Sequence, residues 1–172
     1  WRSGWFGPLE QPIEVSLEPT DSWGAFYGGQ RLRPMLERLR TRGVTDSELE
    51  DIERATEAIE TGRFDDGDRP ARIHGDLWAG NLLFGSEGPR FIDPAAHGGH
   101  PLTDIAMLEL FGAPYFNAIV DGYVDAGGEL GRDWQRRIPV HQLHPLAVHA
   151  WTHGPAYGSA LVRAAEETLR VV

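Results

Sequence analysis

Asp76, Asn81 and Asp93 are the side chains in this sequence whose types and spacing could do chemistry. They lie in the stretch "RIHGDLWAGNLLFGSEGPRFIDPAAHGGH", residues 72–100. Phosphoryl transfer needs a carboxylate beside the attacking hydroxyl and Mg²⁺ to neutralise the phosphate oxygens. Mg²⁺ takes hard oxygen ligands and is held by one or two carboxylates together with the phosphates themselves. Two aspartates and an asparagine supply the protein's share of such a site.

These side chains must be brought together by the elements around them. "NLLF" and "RFID" are short apolar runs separated by "GSEG", which predicts a β-hairpin. Asp76 and Asn81 flank a tight loop before the first strand, and Asp93 ends the second, so all three can converge at one end of the hairpin. An Asp, four residues and then an Asn, followed later by a metal-binding Asp, is also the spacing of a protein-kinase catalytic loop. The alternative is local: Asp76 and Asn81 cap turns, and Asp93 forms an Asx-turn.

A chain of 172 residues fits one domain with a sizeable core. It contains no cysteine, which excludes disulfides and thiolate metal sites. All 16 basic residues are arginine, so any role that needs a lysine falls to an arginine or to another polypeptide. The formal charge of −10 disfavours nucleic acid and anionic membrane as partners. No apolar run approaches the roughly 18 residues of a bilayer span. The start "WRSGWFGPLE" is unlike a signal peptide, so a cytoplasmic protein is expected. The first residue is Trp, which suggests a truncated or processed product.

Along the chain, residues 1–19 read as an extended lead-in and 20–172 as the folded body. "TDSWGAFYGGQRLRPMLERLRTRG" predicts a helix kinked or broken by Gly28, Gly29 and Pro34. In "TDSELEDIERATEAIETG", Ser47 and Glu50 suggest a capping box, Leu49, Ile52 and Ile59 make a stripe, and Gly62 ends the helix. Helices are expected in "LTDIAMLELFG", in "PYFNAIVDGYVDAGG" with Phe116, Ile119, Val120, Tyr123 and Val124 on one face, in "DWQRRIPVHQLHPLAVHAW" despite Pro139 and Pro145, and in "AYGSALVRAAEETLRVV". The expected architecture is mostly α with a small β-hairpin. "PAAHGGHP" reads as a polar loop carrying an H-x-x-H pair, His97 and His100, with no third metal ligand beside it. His141, His144, His149 and His153 lie along one late helix and are expected to be packed or hydrogen-bonded.

"HGDLWAGN", followed by "FIDPAAHGG" and "DIAMLELFG", resembles the fructosamine kinase (ketosamine-3-kinase) family. That family belongs to the aminoglycoside phosphotransferase and choline kinase-like group, which has the protein-kinase-like fold. "TDSWGAFYGGQRLRPMLE" and "HQLHPLAVHAWTHGPAYGSAL" resemble further stretches of the family. The resemblance implies the C-terminal lobe of an α+β kinase fold that phosphorylates a sugar hydroxyl of a ketosamine or other amine-bearing sugar, with ATP as co-substrate. It implies that Asp76 orients or accepts the hydroxyl proton and that Asn81 and Asp93 hold Mg²⁺. It further implies that His74 braces the loop, that Asp104 supports it from the following helix, and that Trp78 and His149 meet the substrate. Pro101 and Leu102 stand where the family often has Arg-Glu, and "GHPLTDIA" is nearer the aminoglycoside phosphotransferase pattern. That departure leaves an aminoglycoside- or choline-type kinase, or a non-catalytic lobe, as alternatives. The glycine-rich loop, β3 lysine and partner glutamate of the N-terminal ATP lobe are not in this sequence. A lobe by itself is expected to be inactive and to self-associate through its exposed surface.

Overall fold

The computed structural model describes residues 3–6, 12–42, 44–67 and 69–171. The chain is mostly helical, with three small two-stranded antiparallel sheets among the described residues. It divides into two compact units, residues 1–68 with 143–172, and residues 69–142.

In the first unit, β1 (Ser3–Phe6) pairs antiparallel with β2 (Ile13–Ser16), with Ser3 opposite Ser16 and Phe6 opposite Ile13. This hairpin lies in the stretch expected to be a loop or extended lead-in, of which residues 1–2 and 7–11 lie outside the described residues. Ile13 is buried, which gives the hairpin its anchor. The expected broken helix is a π-helical segment, Ala25–Leu32, running into α1 (Arg33–Arg40). The Ser22 hydroxyl receives the N–H of Ala25 at its start. Pro34 sits in the first turn of α1, directly after the π-helical segment.

Thr45 caps α2 (Asp46–Glu60): its hydroxyl accepts the Glu48 N–H while the Glu48 carboxylate accepts the Thr45 N–H. The Thr45 hydroxyl also donates to the Glu48 carboxylate at 2.7 Å, and that bond, with the one from the Thr45 N–H, holds the Glu48 carboxyl below its usual range. The capping box is therefore Thr45–Glu48 and not Ser47–Glu50. Both pairs fit the pattern, and the helix begins at the earlier one. Gly62, with φ of 84°, closes α2 as expected. Leu49, Ile52, Ala55 and Ile59 of α2 share the core of this unit with Leu32, Leu36 and Leu39 and with Leu161 and Ala165 of α6 (Pro155–Arg170). Arg31 is also buried. Its guanidinium lies over the Phe26 ring and donates to the Ser16 and Gln30 carbonyls, and desolvation lowers its pKa to about 10.

The second unit begins with β3 (Ala71–Ile73), which pairs antiparallel with β6 (His97–Gly99), Ile73 opposite His97. Between them lies the predicted hairpin, β4 (Leu82–Gly85) and β5 (Gly88–Phe91), with Leu82 opposite Phe91. The "HGG" of the expected polar loop is thus a strand, too short and glycine-rich to be read as one. α3 (Leu102–Leu110) turns Leu108 towards Leu77, Leu82 and Ala113, and Leu102, Ile105 and Ala106 towards Ile138. α4 (Phe116–Asp125) packs Phe116, Ile119, Val120 and Tyr123 onto these clusters, whereas Val124 is exposed. After a short 3₁₀ turn at Trp134–Arg137, α5 (Ile138–His153) follows, and the division between the units falls within it. Pro139 stands in its first turn and Pro145 is accommodated inside it.

Candidate active site

The loop from His74 to Asn81 joins β3 to β4, and its shape is set by bonds from three directions. From α3, the Asp104 carboxylate accepts the backbone N–H of His74 at 2.7 Å and of Gly75 at 2.9 Å. Asp104 lies in the first turn of α3, where the helix dipole favours a negative charge. Burial nevertheless raises its pKa, and the two N–H bonds work against that rise. Gly75 takes a φ of 80°, where a Cβ would also meet the Ala95 carbonyl at 2.4 Å, so the residue before Asp76 has to be glycine.

Across the loop, the His74 ring takes the Asp76 N–H on Nδ1 at 3.3 Å and donates from Nε2 to the Ile92 carbonyl at 2.9 Å. This arrangement ties the loop to the residue before Asp93. The third set of bonds comes from Asn81, which is buried. Its amide nitrogen donates to the Asp76 carbonyl at 2.8 Å and to the Asp76 carboxylate at 3.1 Å. With both amide hydrogens used, Oδ1 is left as the acceptor.

Asp93 is placed by the hairpin register. One step beyond the Leu82–Phe91 pair, the Ile92 N–H donates to the Asn81 carbonyl at 3.1 Å. Ile92 is therefore held at both its N–H and its carbonyl, and Asp93 follows immediately. The strand ends at Phe91 and not at Asp93, which is exposed and left-handed with a φ of 51°. Asp residues tolerate that conformation better than most, but it still strains the backbone.

The electrostatics follow from this packing. Desolvation raises the pKa of Asp76, and the negative charges of Asp104 and Asp93 add to the rise. The Asn81 hydrogen bond and the His74 ring oppose it. Asp104 and Asp93 lie close enough for their charges to act on Asp76, and the Asn81 carboxamide lies against the Asp76 carboxylate. This oxygen-only, negatively charged set suits a hard divalent cation such as Mg²⁺. Among the described residues no group of three or more His, Cys, Asp or Glu forms a complete metal cage, so such a cation would take further ligands from phosphate or water.

Trp78 follows Asp76 in the loop and remains 42 % exposed, with its ring edge-on to Phe111 at 6.3 Å. His149 belongs to the other unit. There its Nδ1 donates to the Pro145 carbonyl at 2.8 Å, its ring stacks on His153 at 5.1 Å, and Tyr157 leans on it at 5.0 Å. Burial lowers its pKa. His141 stands in the second unit, where Nδ1 meets the Thr103 hydroxyl at 3.0 Å and the ring lies 4.6 Å from that of His100. The late histidines are therefore divided between the units. Sequence reading missed Ile92, whose backbone joins Asn81 to Asp93, and Phe111, which appeared only as part of the "LFG" match.

The loop is thus braced from the following helix and holds an Asp–Asn pair, and the β-hairpin brings a second Asp near it. The fructosamine kinase family matches residues 6–171, and this chain belongs to that family. It is 33 % identical over 149 residues to a probable ketoamine kinase of Vibrio vulnificus, covering 84 % of this chain and 50 % of the relative. It is 32 % identical over 145 residues to a probable ketoamine kinase of Thermus thermophilus, covering 83 % of this chain and 51 % of the relative. A solved structure of a candidate fructosamine-3-kinase from Thermobifida fusca matches with a TM-score of 0.88 at 43 % identity, over 98 % of this chain and 57 % of that one. A second, from Haemophilus somnus, shares the fold with a TM-score of 0.78 at 21 % identity, over 97 % of this chain and 55 % of that one. This chain therefore spans about half the length of the curated relatives it matches.

Proposed function

We propose that this chain is the C-terminal, acceptor- and metal-binding lobe of an ATP-dependent ketosamine kinase with the protein-kinase-like fold. The observation that carries the reading is the Asn81–Ile92 backbone bond, which sets the Asp76–Asn81 pair beside Asp93. Asp76 would orient the acceptor hydroxyl and take its proton as the oxygen attacks the γ-phosphorus and ADP leaves. Its raised pKa makes it a better base than an ordinary surface aspartate. Asn81 through Oδ1, together with Asp93, would hold Mg²⁺. Mg²⁺ supplies neutralisation of the phosphate charge. His74 and Asp104 keep the loop in place. Trp78 offers an aromatic face to the sugar or to its amine, and His149 is assigned to the substrate side by family resemblance.

The phosphate-clamping lysine would come from an N-terminal lobe outside these 172 residues, which hold no lysine. The length of the relatives supports this reading. We place the protein in the cytoplasm; no described helix is long and apolar enough to cross a membrane.

The test is an ADP-release assay on the two-lobed protein, this chain joined to an N-terminal half of the kind its relatives carry. A fructosamine or ribulosamine should give a higher kcat/KM than a kanamycin-type aminoglycoside or choline. Pro101 and Leu102, nearer the aminoglycoside pattern, are the reason for that comparison. A higher kcat/KM on the aminoglycoside overturns the substrate, and no turnover with any acceptor overturns the enzyme.

A further inference from the structure

The Trp78 ring lies directly on the backbone of Gly80. A Cβ built at Gly80 would stand 2.3 Å from Cη2, 2.4 Å from Cζ2 and 2.8 Å from Cζ3 of the indole. Real Cβ contacts are never that close, so the residue preceding Asn81 has to be glycine for the ring to lie where it does. Phe111 meets the same indole edge-on, with an interplanar angle of 71°. An edge-to-face contact fixes the tilt of a ring as well as its position.

Phe111 is itself held by its surroundings. It ends α3 at the start of the loop to α4, a loop fastened at alternate residues. Phe111 meets Trp78, Ala113 joins the core cluster of Leu77 and Leu82, and the Tyr115 ring stands edge-on to Phe84 at 5.5 Å. Tyr115 takes a left-handed φ of 60°, an uncommon conformation for a bulky residue, and its ring pairs with Phe84 there. The loop thus lies alongside the site from Trp78 to the hairpin.

We propose that Gly80 and Phe111 are positioning residues for the Trp78 indole. They lay it over the turn that links Asp76 to Asn81 and leave one aromatic face open to the amine-bearing end of the acceptor. The inference rests on the proposed function and adds to it: acceptor affinity depends on two residues that touch neither acceptor nor phosphate. A tilted or swinging indole loses stacking area and leaves the Asp76–Asn81 chemistry as it was, so the loss falls on acceptor binding.

The test is steady-state kinetics of the two-lobed protein on a fructosamine, with the KM for ATP measured alongside. Trp78→Ala should raise the acceptor KM. Phe111→Leu should raise it about three- to tenfold, with kcat within about twofold and the KM for ATP unchanged. Phe111→Tyr, which keeps the ring, should restore the wild-type KM. The Trp78→Ala/Phe111→Leu double variant should be no worse than Trp78→Ala alone, because Phe111 acts through the indole. Gly80→Ala should act in the same direction, and the Phe111 series decides the matter should that variant lose its fold. An acceptor KM raised by Trp78→Ala but unmoved by Phe111→Leu overturns the positioning role and leaves the substrate reading standing. An acceptor KM unmoved by Trp78→Ala overturns the Trp78 contact, and the positioning role with it.

Discussion

The Asp104 carboxylate accepts the His74 backbone N–H at 2.7 Å, and its second oxygen accepts that of Gly75 at 2.9 Å. One side chain at the start of α3 thus satisfies two consecutive amides of a loop some thirty residues earlier. Removing it leaves both donors part-buried and unsatisfied. Asp104→Ala should therefore lower stability by about 2–4 kcal/mol, and Asp104→Asn, which keeps one acceptor oxygen, by roughly half as much. Urea denaturation checks both. A loss below about 0.5 kcal/mol for the alanine variant would show that the loop does not depend on this carboxylate.

Asp93 should separate stability from activity. Its left-handed backbone, with a φ of 51°, is tolerated by Asn about as well as by Asp, whereas Ala would add a conformational cost. Asp93→Asn should leave the denaturation midpoint of the two-lobed protein unchanged while turnover falls at least about a hundredfold. Activity within about tenfold of wild type would remove Asp93 from the metal site.

Residues 1–172 by themselves should neither turn over nor bind ATP tightly. The charge is −10, and no lysine is present to draw the phosphates into line. Leu83, Phe84, Phe91 and Tyr115 of the second unit are each about half exposed or more, so the isolated chain should also self-associate. Calorimetric titration with Mg²⁺ and ATP, beside analytical ultracentrifugation, tests this. Micromolar affinity with ADP release would make this chain a complete kinase.

His149 should contribute to acid sensitivity. Burial lowers its folded-state pKa below the value of about 6.5 expected in the unfolded chain, and the neighbouring His153 adds to the effect. Its contribution is present in full above the unfolded pKa. It is lost as the pH falls from there through the lower folded pKa, because the unfolded state binds the proton more readily. Between pH 7.5 and 5.5 the wild-type denaturation midpoint should fall more than that of His149→Gln. Equal falls would mean that the ring is not held neutral by the fold.

Much of the site was legible in the order of residues alone. The interval from Asp76 to Asn81, the "GSEG" turn between two apolar runs and the "ID" that follows report short-range geometry. A hairpin converts sequence distance directly into spatial register, so Asn81 and Ile92 had to meet once Leu82 faced Phe91. The helices from α3 onwards and the Gly62 stop were readable for the same reason, since periodicity and caps act within a few residues.

What only the tertiary structure decided involves partners far apart in sequence, or a choice between equal local options. Thr45 and Ser47 both match a capping box, and the helix begins after Thr45. The β1–β2 and β3–β6 pairs consist of strands of three or four residues rich in glycine or without clear alternation, so their pairing depends on the body they pack against. Val124 matches the apolar face of α4 by spacing, yet it is exposed while the adjacent Tyr123 packs onto a core cluster. The sequence by itself determined which groups could hold a cation and accept a proton. The fold decided how they are held: by Asp104 on the loop amides, by His74 across to Ile92, and by Gly80 and Phe111 beneath and beside Trp78. The contacts of Asp104, of His74 with Ile92 and of Phe111 with Trp78 depend on where a distant backbone runs, and no interval along the chain encodes that.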